Sequence, residues 1–349
     1  MTEWQSRLLG WYAENRRDLP WRGVGSPYLV WVSETILQQT RVSQGLAYYL
    51  RFVERFPTVE ALAAADEDEV LRLWQGLGYY SRARNMHAAA RDIAAAGAFP
   101  RSYADVRRLR GVGDYTAAAI CSLAYGDPVA VVDGNVYRVL SRCFAVGEPI
   151  DTAAGKKAFA ALADSLIDRR RPADYNQALM DFGALQCVPV SPRCGDCPLR
   201  VCCLAAERGE VSCYPVRSRR QSVGVRHLSY LLVTSPGALW LRRRAGGIWR
   251  GLYEPPVVET AAPAGIDAVL NSPLAASLPP GYTLRAVAEG VRHQLTHLTL
   301  VASCHELRYP AALPPAPEGF IAVPRDRVGE YALPRLVERL LQRAFSGDE

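Results

Sequence analysis

The sequence has 349 residues, 49% of them hydrophobic, which is enough for two domains with separate cores. The net charge is +6, and residues 208–227 alone carry +4 of it, so a basic coat over the whole surface is excluded and any nucleic-acid binding must come from specific sites. The chain contains no apolar run of roughly 20 residues, and its N-terminus has the pattern of an amphipathic helix rather than a secretory signal. We therefore expect a cytoplasmic protein without a membrane partner.

Helical periodicity extends from residue 3 to about residue 185, in Ala-rich stretches such as ALAAADEDEVLRLW and KKAFAALADSLIDRR. Later segments alternate in the manner of strands: HLSYLLVT, ALWLRRR, TLRAVAEGV and HLTLVASCHELR. ETAAPAGIDAVLNSPLAASLPPG is typical of a helix with flanking loops, and LPRLVERLLQRAF of a closing helix. The pattern predicts a multidomain fold, with an all-α region over residues 1–207, a basic connector over 208–227 and an α+β domain over 228–349.

Glu34 is the single acidic residue of the segment WVSETILQQTRV, and it follows Ser33 in an otherwise apolar helix. At helical spacing it shares a face with Trp31 and Gln38. Such a glutamate either faces solvent or lies inward, where burial would raise its pKa and make it a general acid.

The stretch LRGVGDYTAA, residues 109–118, places Gly111 and Gly113 just before a helix. Two glycines around one apolar residue suit a tight turn, and the N–H groups of the following helix form an anion site. The alternative is an ordinary helix C-cap followed by an unrelated helix.

Asp133 follows a short apolar run in VVDGNVYRVLSR and opens the next predicted helix. Aspartate is a good N-cap, which is its structural interpretation. It also lies 20 residues after Gly113, at the end of the helix that the glycine turn begins. The turn and this carboxylate therefore belong to one helical substructure.

Four cysteines with the spacing C-x6-C-x2-C-x5-C lie within 17 residues: Cys187, Cys194, Cys197 and Cys203. In a chain expected to be kept reduced, this spacing favours a metal centre over disulfides. Structural zinc and an iron–sulfur cluster both accept four thiolates, so the spacing alone leaves both open.

The order of ETILQQT, GLGYYSRARN, LRGVGDYTA, VDGNVYRVL, NQALMDFGALQC and the four cysteines resembles that of the helix-hairpin-helix DNA glycosylases with an iron–sulfur loop. Within that superfamily, residues 1–215 are most similar to the adenine DNA glycosylases of the MutY family. The resemblance implies an all-α catalytic region with a helix-hairpin-helix motif at 109–118 and a [4Fe–4S] loop at 187–203. It also implies a monomeric, bacterial-type, nucleoid-associated enzyme of base excision repair, which binds double-stranded DNA and hydrolyses the N-glycosidic bond of adenine mispaired with 8-oxoguanine or G.

The same resemblance assigns the catalytic roles. Glu34 protonates the adenine and helps to activate water, while Asp133 stays ionised and stabilises an oxocarbenium-like sugar. Asn135 orients this pair and Tyr115 lines the site. Relatives of the endonuclease III type carry a lysine in place of Tyr115, so the resemblance implies hydrolysis without strong strand nicking.

The binding residues follow by resemblance as well. The base pocket is formed by Trp21, Arg22, Leu37, Val42 and Gln177. Gly111 and Gly113 clamp the DNA backbone. Gln39 and Tyr79 insert into the duplex beside the lesion, with ordinary helix-end packing as the alternative.

Residues 228–349 resemble the family's Nudix-like lesion-recognition domain through IWRGLYEPP, VRHQLTHLTL and LPRLVERLL. The segment after GLYEPP lacks the run of glutamates that holds Mg²⁺, so we expect lesion recognition rather than nucleotide hydrolysis. The family has Phe-Ser-His where this chain has Leu295, Thr296 and His297, so the aromatic wedge is missing. An endonuclease III-like glycosylase/lyase and a non-catalytic DNA-binding iron–sulfur protein are the alternative functions.

Overall fold

The structure is a computed structural model that describes residues 2–218, 224–276 and 278–346. The chain divides into a helical unit, residues 1–64 and 88–220, and a sheet unit, residues 65–87 and 221–349. Residues 219–223 of the expected connector lie outside the described residues, and the expected boundaries at 207 and 228 stay predictions.

The helices that lie wholly within the helical unit have up to 14 residues and are joined by short turns, and the 16-residue α6 spans the boundary between the units. The helices are α1 Glu3–Asn15, α2 Pro27–Leu37, α3 Val42–Arg55, α4 Val59–Ala64, α6 Ser81–Ala96, α7 Tyr103–Arg108, α8 Asp114–Tyr125, α9 Gly134–Phe144, α10 Ala153–Leu166, α11 Pro172–Leu185 and α12 Leu204–Glu207, with 3₁₀ turns at Arg200–Cys202 and Val211–Cys213. Among the described residues, none of the helices has the length and apolar character needed to cross a bilayer.

Side-chain caps fix where these helices begin. Ser26 accepts a hydrogen bond from Leu29 N and precedes Pro27, which is well suited to the first turn of α2. Asp133 caps α9 in the same way. One core of the unit is built from α1, α8, α9, α10 and α11, around side chains such as Leu8, Phe159 and Phe182.

The extent predicted for the helix ALAAADEDEVLRLW is wrong. ALAAADEDEVLRLW forms two helices, α4 Val59–Ala64 and α5 Glu67–Leu73, because the chain leaves the helical conformation at Asp66. Asp66 is extended, at φ −74° and ψ 143°, and serves as the N-cap position of α5.

The sheet unit is a mixed sheet with the strand order β3-β2-β1-β6-β5, in which β4 pairs with β1 and β7 with β2. Its strands are β1 Gly224–Thr234, β2 Ala238–Arg243, β3 Tyr253–Glu254, β4 Val257–Thr260, β5 Thr283–Gln294, β6 Leu298–Arg308 and β7 Phe320–Pro324. β1 and β6 run parallel over 11 residue pairs, whereas β5 and β6 form an antiparallel hairpin with two register shifts.

The helix α15 Arg335–Phe345 packs its apolar face on one side of this sheet, through residues such as Leu336, Leu340 and Leu341. The segment between β4 and β5 forms two short helices, α13 Ile266–Leu270 and α14 Pro273–Ala276, rather than one. A 3₁₀ helix over Arg325–Glu330 precedes α15.

Candidate active site

A cavity of about 160 Å³ lies inside the helical unit, between α2, α8, α11 and the start of α9. All four predicted catalytic residues line it, together with all five residues predicted for the base pocket. These are Glu34, Tyr115, Asp133 and Asn135, with Trp21, Arg22, Leu37, Val42 and Gln177.

Glu34 lies inward from α2, with only 5% of its surface exposed, so the solvent-facing alternative does not hold. Burial raises the pKa of this carboxyl to about 7. The Tyr115 hydroxyl donates a hydrogen bond to Oε2 and partly opposes that shift, while the nearby charge of Asp133 adds to it. At neutral pH a substantial fraction of Glu34 therefore carries the proton that a general acid needs.

Tyr115 comes from α8, which packs directly against α2. Gln38 Nε2 donates to Thr116 Oγ1 at 3.0 Å and so joins the end of α2 to the first turn of α8. Burial, together with the adjacent carboxyls, raises the pKa of the phenol. Tyr115 thus stays protonated and acts as a hydrogen-bond donor to Glu34.

Asp133 is both a helix cap and a member of the cavity, so its two interpretations are compatible. It accepts hydrogen bonds from Asn135 N at 2.8 Å, Val136 N at 2.7 Å and Asn135 Nδ2 at 2.8 Å. Burial raises its pKa above the ordinary value, and these three donors oppose the rise. Glu34 has one hydroxyl donor instead, so Asp133 is the more readily ionised member of the pair.

Asn135 is itself held by Arg138, one turn along α9. Arg138 donates from Nη2 to Asn135 Oδ1 at 2.8 Å and to Gly183 O at 2.6 Å, and from Nε to Cys187 O at 2.7 Å. One guanidinium group therefore connects the Asp133–Asn135 pair to the first cysteine of the four-cysteine loop. Gly183 permits this packing, since a Cβ there would lie 2.6 Å from Cβ of Asn135.

Asp181, which the sequence analysis did not single out, holds two arginines that line the cavity. It is fully buried and accepts from Arg22 Nη1 at 2.7 Å and Nη2 at 2.8 Å, and from Arg17 Nε at 2.7 Å. Burial opposes its ionisation, but the two guanidinium groups hold the pKa of Asp181 below its ordinary value. The sequence contained one signal: Asp181 follows Gln177 by four residues and so lies on the same face of α11.

Gln177 is oriented by a second buried contact. The Tyr12 hydroxyl donates to Gln177 Oε1 at 3.1 Å, so the amide nitrogen is the group that remains to bind a ligand. Trp21, 6% exposed, packs its ring edge to face against Tyr49 at 5.0 Å. The cavity therefore presents a fixed amide donor beside an aromatic wall.

The glycine turn lies between α7 and α8, and the second helix begins at Asp114, directly after Gly113. Gly111 has φ +76°, which L-residues rarely adopt, whereas Gly113 is extended and occupies the N-cap position. Val112 is buried and anchors the turn, and Arg107 Nη1 donates to its carbonyl at 3.0 Å. Both glycines are exposed, so their amides are accessible to an anion.

Gln39 and Tyr79, predicted to enter a duplex, do not line the Glu34 cavity. Both are exposed and have positive φ, +60° and +48° respectively, which is uncommon for residues other than glycine. Tyr79 belongs to the sheet unit, where it shares a second cavity, of about 720 Å³, with Leu295–Leu298. Its hydroxyl is hydrogen-bonded to Thr296 Oγ1, so the predicted lesion-reading residues lie together.

The four predicted ligand cysteines line one small, mainly apolar cavity with Arg142, and Cys202 is not part of its lining. Arg142, 3% exposed, donates to Cys187 Sγ at 3.4 Å and to the Val188 carbonyl at 2.8 Å. All the cysteines are free thiols. No group of three or more His, Cys, Asp or Glu side chains in the described ranges has the arrangement of a metal-ion site.

The main cavity therefore combines one carboxyl that holds its proton near neutral pH with a second that ionises more readily. A protonated acid can assist a leaving group, and an ionised one can stabilise a positive sugar-like transition state. This division of roles is that of glycosidic bond hydrolysis.

The comparisons with known proteins agree with this chemistry. Residues 32–163 match the HhH-GPD superfamily of base excision DNA repair proteins, and residues 229–343 match the NUDIX domain family. The chain is 42% identical over 232 residues to the adenine DNA glycosylase of Mus musculus, covering 62% of this chain and 45% of that protein. It is 34% identical over 253 residues to the adenine DNA glycosylase of Buchnera aphidicola subsp. Baizongia pistaciae, covering 70% and 71% respectively.

Among solved structures, a thermostable thymine-DNA glycosylase is 31% identical, with a TM-score of 0.55, and the match covers 59% of this chain and 95% of that one. The expected fold, an all-α helix-hairpin-helix region followed by an α+β Nudix-like domain, is confirmed. The match spans less than half the length of the mouse relative.

Proposed function

This chain belongs to the adenine DNA glycosylase family, and on that premise we propose that it removes adenine from mispairs in double-stranded DNA by hydrolysis of the N-glycosidic bond. The observation that carries the proposal is the convergence of Glu34 and Asp133 in one cavity that also contains a base-sized aromatic and amide lining. The family membership indicates that the excised nucleobase is adenine, and the two carboxyls account for the hydrolysis.

The reaction uses the difference in pKa between the two acids. Glu34, protonated near neutral pH, donates its proton to the flipped adenine and makes it a better leaving group. Asp133 is ionised and stabilises the oxocarbenium-like sugar, while Asn135 and Arg138 keep its orientation. Gln177 and Trp21 position the adenine through an amide donor and ring contact.

Tyr115 supports a monofunctional enzyme. A phenol has no amine, so Tyr115 cannot form the Schiff base by which lysine-dependent glycosylases cleave the strand. Tyr115 instead donates to Glu34 and fixes the orientation of its carboxyl group. The product is therefore an intact strand with an abasic site.

We propose that the four cysteines hold a [4Fe–4S] cluster, with Zn²⁺ as the alternative, since four thiolates suit either group. They line one dry cavity beside the buried guanidinium of Arg142, a suitable environment for thiolate ligands. Cys187, Cys194, Cys197 and Cys203 would hold the cluster, and its contribution is to fix the loop.

We further propose that the base opposite the adenine is 8-oxoguanine or guanine, and that Tyr79 and the hairpin Leu295–Leu298 contact it. Support comes from the shared cavity and from the hydrogen bond between Tyr79 and Thr296. The exposed glycine turn binds the DNA backbone through its amides, and the protein acts as a monomer.

The proposed function is tested with purified protein and end-labelled duplexes that contain 8-oxoguanine:A or G:A. We expect release of free adenine, and strand breaks only after alkali treatment. Strand cleavage without alkali, together with a DNA adduct trapped by borohydride, would instead show the lyase reaction of an endonuclease III-like enzyme. Specific duplex binding with no adenine release would show a non-catalytic protein.

Arg138→Lys tests the link from Asp133 to the four-cysteine loop. Lysine keeps the positive charge but cannot donate simultaneously to Asn135, Gly183 and Cys187. We expect the single-turnover rate of adenine excision to fall about 10- to 100-fold, the typical range for a residue that orients an active-site group. The measurement is a rapid-quench time course at saturating enzyme.

Arg169→Lys serves as the control for this variant. Arg169 is exposed, and its guanidinium group lies 3.6 Å from the carboxylate of Asp164 in an exposed ion pair. Its excision rate should match that of the unmodified protein. An unchanged rate in Arg138→Lys would mean that Asn135 and Asp133 keep their positions without the guanidinium group.

A further inference from the structure

The 720 Å³ cavity of the sheet unit has a second aromatic residue beside Tyr79, namely Trp249, which the proposed function has not used. Trp249 lies on the loop between β2 and β3 and is only partly buried. Its ring meets that of His293 edge to face, with centroids 5.8 Å apart. Leu295, on the facing hairpin, contributes no aromatic surface to this cavity.

The backbone of Trp249 is held in an unusual conformation. Its φ is +61°, a region that bulky L-residues rarely adopt, and Tyr79 on the same cavity has φ +48°. Loop hydrogen bonds impose this geometry, from Leu252 N to Trp249 O at 3.0 Å and from Gly251 N to Arg244 O at 2.8 Å. Backbone strain of this kind concentrates where a side chain must be presented to a ligand.

The indole nitrogen of Trp249 is available to such a ligand. It makes no hydrogen bond to another described residue, and it is not among the described side-chain nitrogens that are buried without a partner. An indole N–H is a donor only, so it selects for an acceptor atom. 8-oxoguanine carries a carbonyl oxygen at C8 that guanine lacks.

We propose that Trp249 is a specificity-determining residue, whose Nε1–H donates to the C8 oxygen of 8-oxoguanine opposite the excised adenine. This inference rests on the proposed function and assigns lesion discrimination to the β2–β3 loop as well as to the Leu295–Leu298 hairpin. An N–H that donates to the C8 oxygen lies near the plane of the base, so the indole meets the edge of the base, where guanine has a C–H in place of the acceptor. The preference for 8-oxoguanine over guanine therefore depends on the N–H group.

Trp249→Phe isolates that group, because phenylalanine keeps an aromatic ring and loses the donor. The probes are two duplexes with a tetrahydrofuran abasic site opposite 8-oxoguanine or guanine, bound at one fixed salt concentration and followed by fluorescence anisotropy. We expect affinity for the 8-oxoguanine duplex to fall about fivefold to tenfold, as for loss of one hydrogen bond, and affinity for the guanine duplex to stay unchanged.

Trp240→Phe is the matched control. Trp240 belongs to the same sheet but is buried, and its Nε1 has no hydrogen-bond partner among the described residues. The same chemical change there should leave both affinities unaltered. Thermal unfolding of each variant reports whether the fold is intact.

A Trp249→Phe variant that keeps its preference for 8-oxoguanine within twofold would overturn the inference. An equal loss in Trp240→Phe would overturn it too, because the effect would then not be local to the cavity. The proposed function is judged separately. Unmodified protein that releases no adenine contradicts the function itself. If the unmodified protein is active and the Trp249→Phe variant keeps the same preference for 8-oxoguanine over guanine, only the role of Trp249 is contradicted.

Discussion

Glu34→Gln is expected to reduce adenine excision about a thousandfold, within the usual range for loss of a general acid. Glutamine has the shape of the protonated carboxyl and still accepts the Tyr115 hydrogen bond, so the cavity should keep its form. The substituted side chain has no proton to give to the departing adenine. Single-turnover excision gives the rate, and anisotropy with a duplex should show unchanged DNA affinity.

The pH dependence provides an independent check on the same residue. Since the pKa of Glu34 is raised to about 7, the acid form is depleted as the pH rises above that value. The excision rate of the unmodified protein should therefore decline on the alkaline side of about pH 7. A rate that stays constant from pH 6 to pH 9 would contradict a proton donor with this pKa.

The same substitution should stabilise the fold at alkaline pH. The folded pKa of Glu34, about 7, lies above its ordinary value of 4.5, so the folded state binds the proton more tightly than the unfolded state. Stability is then lost as the pH rises through this interval, by about 3 kcal/mol in total. Glu34→Gln removes that loss, so in urea denaturation the variant should be more stable than the unmodified protein at pH 8 and nearly equal to it at about pH 4, below the ordinary pKa of 4.5.

Asp181→Asn is expected to lower the free energy of unfolding by about 3–5 kcal/mol, the usual cost of removing one member of a buried ion pair. Asp181 has no exposed surface, and its carboxylate compensates both Arg17 and Arg22. Asparagine leaves the two guanidinium groups without a negative partner. The change is measured by urea denaturation at pH 7.

Asp164→Asn is the appropriate comparison, because the Asp164 side chain is 59% exposed and lies 3.6 Å from Arg169. Exposed pairs contribute about 0–1 kcal/mol, so this variant should be nearly as stable as the unmodified protein. Equal stabilities of the two variants would mean that the Asp181 ion pairs do not stabilise the fold.

The residues that line the main cavity were expected from short motifs and from the family resemblance that those motifs carry. Glu34, the segment around Tyr115, Asp133 and Asn135 each belong to a short stretch with a recognisable helix start or apolar pattern, and the structure brings all of them together. Their roles in catalysis stay predictions until the variants are measured. The helical and sheet regions were likewise indicated by a change of periodicity after the cysteine loop.

The residues that support the cavity were not predicted, for a physical reason. Asp181 and Arg138 act through partners 159 and 49 residues away, at Arg22 and Cys187, and no local pattern encodes such contacts. The sequence marks Trp249 only as one residue of IWRGLYEPP, because its positive φ is a property of the folded loop. Short strands such as β4, Val257–Thr260, and β7, Phe320–Pro324, are too brief for alternation to reveal.

The absence of a side chain at Gly183 has a consequence for how this catalytic centre can change over time. A methyl group there would meet Asn135 at 2.6 Å, well inside ordinary van der Waals contact, so α9 and α11 touch backbone to backbone at this point. The position of Asn135, which donates to Asp133, relative to α11 therefore depends on glycine at position 183. A substitution that moves α9 or α11 at this contact must therefore be matched by a change in the other helix, so we expect the two helices to change together.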